Sequence, residues 1–209
     1  MKRLFDIVFA ALGLIVLCPV LLIVTVIIKM GSPGPVLFRQ QRVGRYGQPF
    51  RIMKFRTMVV DAEKLGGQLT PTSDPRITPI GRFLRKYKLD ELPQLLNVLV
   101  GQMSFVGPRP EVQRYVDLYT EEQKRVLKIQ PGITDLASIR YRAEGAILAK
   151  ASDPHQFYID VVMPDKIRLN MEYAAKANVL TDTVIIMQTV GVLPKPKEAE
   201  FSGSSEPEK

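Results

Sequence analysis

The chain has 209 residues, of which 46% are hydrophobic and 24% are charged. That size and composition are typical of one globular domain and exclude a wholly disordered or collagen-like chain. The single cysteine, Cys18, excludes an intramolecular disulfide and a cysteine-based zinc cluster, and the single histidine, His155, argues against a Ser-His-Asp triad. We therefore expect any catalysis to depend on carboxylates and basic side chains.

The positive charge is concentrated in one part of the sequence. The formal net charge is +8, yet 13 basic and only three acidic residues lie between Lys29 and Lys88. Such a cluster predicts an anionic partner, either nucleic acid, anionic lipid or a phosphate-bearing substrate. A solvated basic face is the alternative interpretation.

Residues 7–28 form an apolar run of 22 residues without a charge. A helix of this length reaches about 33 Å, which is enough to cross a hydrocarbon layer of about 30 Å. The run is longer than the apolar region of a signal peptide, and no small-residue cleavage site follows it. We therefore expect this segment to stay in a membrane.

Pro19 lies in the middle of the apolar run and predicts a kink or break at residues 17–19. Basic residues stand on both sides of the run, with Lys2 and Arg3 before it and Lys29 after it. The positive-inside rule would place both flanks in the cytoplasm. From these residues alone, a re-entrant helix and a kinked spanning helix remain open.

The rest of the chain predicts a mixture of short helices and one hairpin. Residues 36–43 and 50–58 have the character of two strands, but neither face of the second is cleanly apolar, so we expect this hairpin to lie outside a conventional core. Helices are predicted at 61–69, 81–88, 92–100, 111–129, 165–176 and 182–192. The basic amphipathic helix 81–88 favours a membrane surface, and residues 194–209 are predicted to be disordered.

Two adjacent acids, Asp90 and Glu91, follow the basic region and precede an apolar helix. Asp90 is a candidate N-cap, which is the simplest structural interpretation. Alternatively, a carboxylate kept ionised among basic residues could attack phosphorus while its neighbour binds Mg²⁺. Arg109 lies between two prolines, which suits contact with a phosphate.

The sequence resembles the bacterial sugar transferases called monotopic phosphoglycosyl transferases. The resemblance rests on motifs in order: KRLFDI at 2–7, GSPGPVLFRQQRVG at 31–44, KFRTM at 54–58, DPRITPIGRFLR at 74–85, LDELPQLLNVLVGQMSFVGPRP at 89–110 and PGIT at 131–134. It implies an enzyme that moves a sugar-1-phosphate from a UDP-sugar to polyprenyl phosphate and releases UMP. Where the family commonly has Asn-Gly-Arg, this chain has Arg-Tyr-Arg at 140–142, so only the arginine carries over.

The resemblance also implies roles for individual residues. Asp90 would be the nucleophile that forms a phosphosugar ester, and Glu91 would serve the Mg²⁺ cofactor. The pair Cys18 and Pro19 would break the N-terminal helix and make it re-entrant. The substrate-binding residues would be Lys54, Arg56, Arg76, Arg109 and Arg142.

Together these observations predict a mostly helical α+β fold with a small β-hairpin and interfacial amphipathic helices. Residues 1–30 would form the re-entrant membrane helix, residues 31–193 a cytoplasmic catalytic domain at the membrane interface, and residues 194–209 the tail. The predicted partners are a UDP-sugar, polyprenyl phosphate and the lipids of the bacterial inner membrane at its cytoplasmic face, and the apolar last helix permits a homodimer.

A different class of function is a membrane-tethered protein that binds anionic lipid or nucleic acid without turnover. Nucleic acid is disfavoured because no recognition motif accompanies the charge and the chain has no tryptophan to stack on bases. The sequence does not name the sugar, and residues 143–165 are the candidate segment for sugar selectivity.

Overall fold

The computed structural model describes residues 2–62 and 74–199 and has the expected mostly helical α+β fold. Its α-helices are α1 (Lys2–Gly31), α2 (Pro79–Lys86), α3 (Gln94–Leu99), α4 (Gln113–Val116), α5 (Leu136–Arg140), α6 (Glu144–Leu148), α7 (Pro154–Phe157), α8 (Met163–Lys176) and α9 (Val179–Thr189). Its strands are β1 (Leu37–Val43), β2 (Pro49–Phe55), β3 (Ser104–Val106) and β4 (Gly132–Thr134). Short 3-10 turns cover Arg45–Gly47, Leu89–Glu91 and Gln123–Lys128, and Tyr158–Val162 is a π-helical turn before α8.

The first helix, α1, runs for 30 residues with Pro19 inside it and without an interruption of its helical conformation. Within the described residues it is the one helix that is long and apolar enough to cross a membrane. Apolar side chains in its middle face outward, and Ile15 and Val16 are 70% and 72% exposed. An apolar surface of this extent is suited to lipid rather than water, so the structure supports membrane association of the chain.

Two separate clusters join α1 to the rest of the molecule. Ala10 packs with Phe50 and Ile52 of the hairpin in one cluster. Further along the helix, Val24 and Ile28 pack in a second cluster that includes Phe55. Both ends of α1 therefore lie against the same domain.

These contacts correct the expectation that the hairpin stays outside a core. Strands β1 and β2 pair antiparallel, with Gln40 opposite Ile52, and both Phe50 and Ile52 are buried. The sequence pattern misled because the apolar partner surface comes from α1, which lies far away in sequence. One mixed strand face is thus covered by the membrane helix itself.

The pair β3 and β4 is parallel, with Ser104 opposite Gly132 and Val106 opposite Thr134. A third cluster behind this pair joins Val106 to Tyr173 of α8 and Ile185 of α9. The largest cluster lies in the carboxyl-terminal half and gathers buried side chains from residues 112 to 169. The pair β3–β4 therefore connects α1, the segment that carries Arg109 and the last two helices.

Several predicted helix bounds need correction. The predicted helix at 111–129 is instead the single turn α4 and the 3-10 segment Gln123–Lys128. Between them, Thr120 and Gln123 exchange bonds, since the Thr120 amide donates to the Gln123 side chain and the Gln123 amide donates to Thr120 Oγ1. Such side-chain bonds to the backbone compete with a continuous helix. Most of the helix predicted at 61–69 lies outside the described residues.

Candidate active site

A cavity of about 1090 Å³ opens between the hairpin, the end of α2 and the turn before α3. Its wall contains six of the seven predicted catalytic and substrate-binding residues together with Arg85 and Lys88: Lys54, Arg56, Arg76, Asp90, Glu91 and Arg109 lie there, and Arg142 does not. Ligand sites of small molecules commonly have volumes of about 300–1,000 Å³. The cavity is therefore large enough for a nucleotide sugar.

These six residues come from four separate stretches of the chain, and the fold brings them together at one site.

The turn Leu89–Glu91 places the two acids at the cavity. Lys88, which precedes the turn, has a left-handed backbone with φ of 58°, and this reverses the chain after α2. The residue at the N-cap of α3 is Pro93, and no side chain caps that helix. The N-cap interpretation of Asp90 is therefore wrong, and its carboxylate is free for another role.

Glu91 is held by two cations through one oxygen. Lys54 Nζ lies 2.8 Å from Glu91 Oε1, and an Arg109 guanidinium nitrogen donates to the same oxygen at 2.7 Å. Burial alone would raise the pKa of Glu91, but Arg109 and Lys54 hold that pKa well below its usual range. Glu91 is therefore an ionised carboxylate that fixes two basic side chains in the cavity wall.

Asp90 is in the opposite situation. Its side chain is 8% exposed, and its Oδ1 atom has no hydrogen-bond partner among residues 2–62 and 74–199. Burial, followed by the neighbouring charge of Glu91, raises the pKa of Asp90 above its ordinary value. A buried polar atom without a partner is costly, and such exceptions concentrate where a group has a chemical role.

Further basic groups surround Asp90. Arg85 and Lys88 line the cavity with it, and the charges of Lys54, Lys88 and Arg85 all favour its ionised form. Burial and the nearby Arg109 lower the pKa of Lys54 to about 8, against the opposing effect of Glu91. The cavity wall is thus positive around one unpaired carboxylate, which suits an anionic ligand.

Arg56 lines the cavity, but its guanidinium is hydrogen-bonded to the segment that follows α1. It donates to the carbonyl oxygens of Pro33 at 2.7 Å and Ser32 at 2.9 Å, and to Ser32 Oγ at 2.8 Å. These bonds hold the segment that leaves the membrane helix against β2. In this structure Arg56 fixes the wall of the cavity rather than presenting a free cation to it.

Arg76 is held beside the bridge that joins Met58 to Ile77. Its guanidinium donates to both carboxylate oxygens of Asp74, at 2.6 to 3.1 Å, and to the carbonyl oxygen of Ala62 at 2.8 Å. The Arg76 side chain lowers the pKa of Asp74 to about 2. Arg76 therefore connects Ala62 to Asp74 at the rim of the cavity.

Arg142 and the pair Cys18 and Pro19 lie away from the cavity. Arg142 pairs with Glu198 at 2.7 Å and donates to the Pro196 carbonyl oxygen at 3.1 Å. Residues 194–199 therefore contact the domain, whereas residues 200–209 of the predicted tail lie outside the described residues. Cys18 and Pro19 are exposed on α1, and the helix continues through them.

Some residues of the cavity wall were not among the predicted site residues. Arg39 and Arg42 of β1 line the wall, and Arg42 also donates to the Pro110 carbonyl oxygen at 3.2 Å, which ties β1 to the segment that carries Arg109. The signal that could have found them is their place in the same basic region as Lys54. Their strand pairs with β2, so the hairpin brings both sets of cations to one cavity.

The donor set at Asp90 and Glu91 fits Mg²⁺. No group of three or more His, Cys, Asp or Glu side chains that could hold a metal occurs in the described part of the chain. Mg²⁺ needs no such cage, because it is commonly bound by one or two carboxylates together with substrate phosphates and water. Glu91 would supply such a carboxylate ligand, next to the Asp90 oxygen that has no partner in the described part of the chain.

Comparison with known proteins finds a matching family model and several similar proteins. The family model described as bacterial sugar transferase matches residues 1–195. The chain is 40% identical over 195 residues to the UDP-glucose:undecaprenyl-phosphate glucose-1-phosphate transferase of Escherichia coli (strain K12), across 91% of this chain and 39% of that protein. It is 43% identical over 149 residues to a putative undecaprenyl-phosphate N-acetylgalactosaminyl 1-phosphate transferase of Bacillus subtilis (strain 168), across 69% of this chain and 79% of that protein.

A third relative is the exopolysaccharide production protein ExoY of Sinorhizobium fredii (strain NBRC 101917 / NGR234). It is 33% identical over 204 residues, across 90% of this chain and 83% of that protein. The chain thus spans about two fifths of the Escherichia coli relative but most of the other two.

Proposed function

The chain belongs to the bacterial sugar transferase family, and on that premise we propose that it transfers a sugar-1-phosphate from a UDP-sugar to undecaprenyl phosphate. The reaction releases UMP and begins the assembly of a polysaccharide or another glycoconjugate. The names of the similar proteins support both substrates. The observation that carries the proposal for the mechanism is the unpaired Asp90 oxygen in a cavity walled by cations.

In the first step, a carboxylate oxygen of Asp90 attacks the phosphorus that bears the sugar. A bond forms between Asp90 and this phosphorus, and the bond from phosphorus to the bridging oxygen of the diphosphate breaks, so that UMP leaves with that oxygen. A carboxylate nucleophile of this kind divides one displacement into two easier ones. The site can then release the water-soluble product before the lipid reacts.

In the second step, a phosphate oxygen of undecaprenyl phosphate attacks the same phosphorus. The bond to Asp90 breaks, the carboxylate is regenerated, and the product is a lipid diphosphate that bears the sugar. Both substrates use the same reaction centre in turn. This order explains how a single cavity could accept a nucleotide first and a lipid afterwards.

The cations stabilise charge in both displacements. Arg109 and Lys54 are oriented by Glu91, so they would meet the phosphates without a large rearrangement, which favours electrostatic stabilisation of the transition state. Glu91 would hold Mg²⁺ through a carboxylate oxygen, and the bound ion would neutralise phosphate charge. The basic wall at Arg85 and Lys88 would keep Asp90 ionised despite its burial.

We also propose that α1 is re-entrant and that the domain lies at the cytoplasmic face of the inner membrane. The support is that both ends of α1 contact one domain: Asp6 accepts a bond from Ser104 at 3.1 Å, and Ile28 packs with Phe55. A straight spanning helix would carry one of those ends to the other side of the bilayer.

The proposed transfer reaction is tested with purified full-length protein in lipid nanodiscs. Incubation with a panel of UDP-sugars, Mg²⁺ and undecaprenyl phosphate should release UMP and form a lipid-linked sugar. With the donor alone, intact-protein mass spectrometry should detect an added phosphosugar that is absent from Asp90→Asn. Release of UMP without this adduct, at a rate that Asp90→Asn preserves, would contradict the covalent mechanism.

The topology is tested separately by cysteine labelling in cells. Cys18 is first replaced by serine, and single cysteines are then placed at position 4, where Leu4 is exposed, and at position 35. We expect both to react only with reagents that reach the cytoplasm. Labelling of position 4 from the opposite side would contradict the re-entrant arrangement without bearing on the proposed transfer reaction.

A further inference from the structure

The first turn of α1 is fastened to strand β3 by a buried polar cluster. The Lys2 ammonium group donates to the Val106 carbonyl oxygen and the Tyr173 hydroxyl oxygen, each at 3.1 Å, and forms an ion pair with Asp182. An ammonium group has three N–H donors, so all three have an acceptor in the fold. The Tyr173 hydroxyl in turn donates to Asp182.

A second residue of the same helix face holds the same strand. Asp6, one turn after Lys2, is 3% exposed. It accepts hydrogen bonds from the Ser104 hydroxyl at 3.1 Å and the Phe105 amide at 3.2 Å. All three residues of β3 are therefore bonded to the beginning of the membrane helix.

The segment after β3 leads directly to the candidate active site and has little freedom to move. The Gly107 amide donates to the Thr134 carbonyl oxygen at 3.0 Å, and a Cβ atom on Gly107 would lie 2.1 Å from the Gln130 carbonyl oxygen. The Pro108 carbonyl oxygen accepts from the Gly132 amide at 3.0 Å. Arg109 follows at once and reaches Glu91.

Asp182 makes this connection depend on Lys2. The carboxylate is 1% exposed, and Lys2 is the cation paired with it in the described part of the chain. Leaving a buried charge without its partner is strongly unfavourable. The cluster therefore forms as a unit, and it does so only when the first turn of α1 is docked on the domain.

We infer that Lys2 and Asp182 are positioning residues for Arg109: the docked first turn of the membrane helix fixes β3 and thereby sets the guanidinium of Arg109 against Glu91. The expected effect of these residues on turnover rests on the proposed function. Through them, the assembly of the active site depends on correct docking of the membrane helix. Neither residue touches the substrate.

The decisive test is a double-mutant cycle in the full-length protein in nanodiscs. Lys2→Met should lower kcat by a factor on the order of 10 to 100, because a small misplacement of a positioned group is costly, with a smaller change in KM for the UDP-sugar. In an Arg109→Lys background, where the guanidinium is already lost, Lys2→Met should lower kcat less than about threefold, since coupled residues are non-additive. Equal factors in both backgrounds, or no loss in either, would overturn the inference.

Arg3→Met is the matched control. Arg3 also carries a positive charge on the first turn of α1, but it donates to the carbonyl oxygens of Val98 and Leu99 rather than to β3. Both variants remove one N-terminal charge, so an effect of that charge on membrane insertion should be seen in both. We expect Arg3→Met to keep kcat within about threefold of the unchanged protein, and Lys2→Arg to retain most of the activity.

Hydrogen exchange gives a readout that does not need turnover. Lys2→Met and Asp182→Asn should both increase exchange at the Phe105 and Gly107 amides, which are hydrogen-bonded in the fold, and Arg3→Met should not. Unchanged protection at these amides in both variants would overturn the inference even if activity fell. If the unchanged protein released no UMP, the proposed function would fail while the exchange result would still decide the role of Lys2.

Discussion

The two sides of the Leu89–Glu91 turn differ in how their carboxylates are satisfied. On one side, Glu91 Oε1 is bonded to Lys54 and Arg109, and the pKa of Glu91 is depressed. On the other side, Asp90 Oδ1 is buried without a partner among the described residues, and the pKa of Asp90 is raised. Neighbours in sequence thus lie in opposite electrostatic environments.

The difference separates a residue that holds the site together from one that reacts. A carboxylate bonded to two cations is stabilised in place and is a poor nucleophile. An unpaired carboxylate costs the fold some stability, yet its oxygen is available for attack on phosphorus. Titratable neighbours with pKa values displaced in opposite directions are a recurring sign of divided catalytic roles.

The strongest test of this comparison is Asp90→Asn. We expect turnover to fall by at least about 10³-fold, because the nucleophile is lost. The free energy of unfolding should stay equal or rise by about 1 kcal/mol at neutral pH, since an unpaired buried charge is removed. UMP release and urea unfolding measure the two quantities, and Asp117→Asn on the exposed side of the domain is the control for a generic loss of charge.

The size of this stability change depends on pH. Because the folded pKa of Asp90 is raised, the ionised form destabilises the fold above that pKa, and the penalty disappears as the carboxyl is protonated. The advantage of Asp90→Asn should therefore shrink as the pH falls towards 4. A variant that is less stable than the unchanged protein at pH 7 would show that Asp90 has a structural partner.

Glu91→Gln tests the other side of the turn. Removing this charge leaves Lys54 and Arg109 together without their shared acceptor, and breaking a buried ion pair by removal of one partner costs about 3–5 kcal/mol. We expect a lower free energy of unfolding as well as lost turnover. The contrast with Asp90→Asn is the informative result: if both variants were equally stable, the two carboxylates would not have the different roles assigned to them.

The sequence predicted the parts of this arrangement that are local. The apolar run gave the long first helix, the alternating residues gave the hairpin, and the two prolines indicated the stiff segment around Arg109. Composition and spacing were sufficient for these features, because each depends on residues that are close together in the chain. The acids at 90 and 91 were singled out by the resemblance to the transferase family, since spacing alone left the N-cap interpretation open.

Other features depend on partners that are distant in sequence. No local pattern shows that Arg56 would bond to Ser32 and Pro33, or that Arg142 would pair with Glu198. The N-cap interpretation of Asp90 failed because the chain makes a 3-10 turn before α3. The first turn of α1 was interpreted only through its charge, whereas Lys2 is also a buried contact with β3.

The pH dependence of kcat/KM tests the role of Lys54, one of the two cations bonded to Glu91. Lys54 has a pKa of about 8 instead of the ordinary 10.5, chiefly because it is buried. It should therefore lose its charge as the pH rises through about 8, and kcat/KM for the UDP-sugar should decline by up to about tenfold on that alkaline limb. Lys54→Arg should move the limb to higher pH, and an unchanged limb in that variant would assign it to another group.

The smallest expected effect concerns Arg142, which lies outside the cavity. Its partner Glu198 is 39% exposed, and the Arg142 side chain is 38% exposed, so the ion pair should contribute about 0–1 kcal/mol. Arg142→Ala should change KM for the UDP-sugar by less than about threefold, whereas Arg109→Lys should lower kcat/KM by about 10²-fold, because Arg109 bonds to Glu91 in the cavity wall. A large rise in KM for Arg142→Ala, matched by a gain in affinity when Glu198 is replaced by alanine, would show instead that the tail competes with substrate for Arg142.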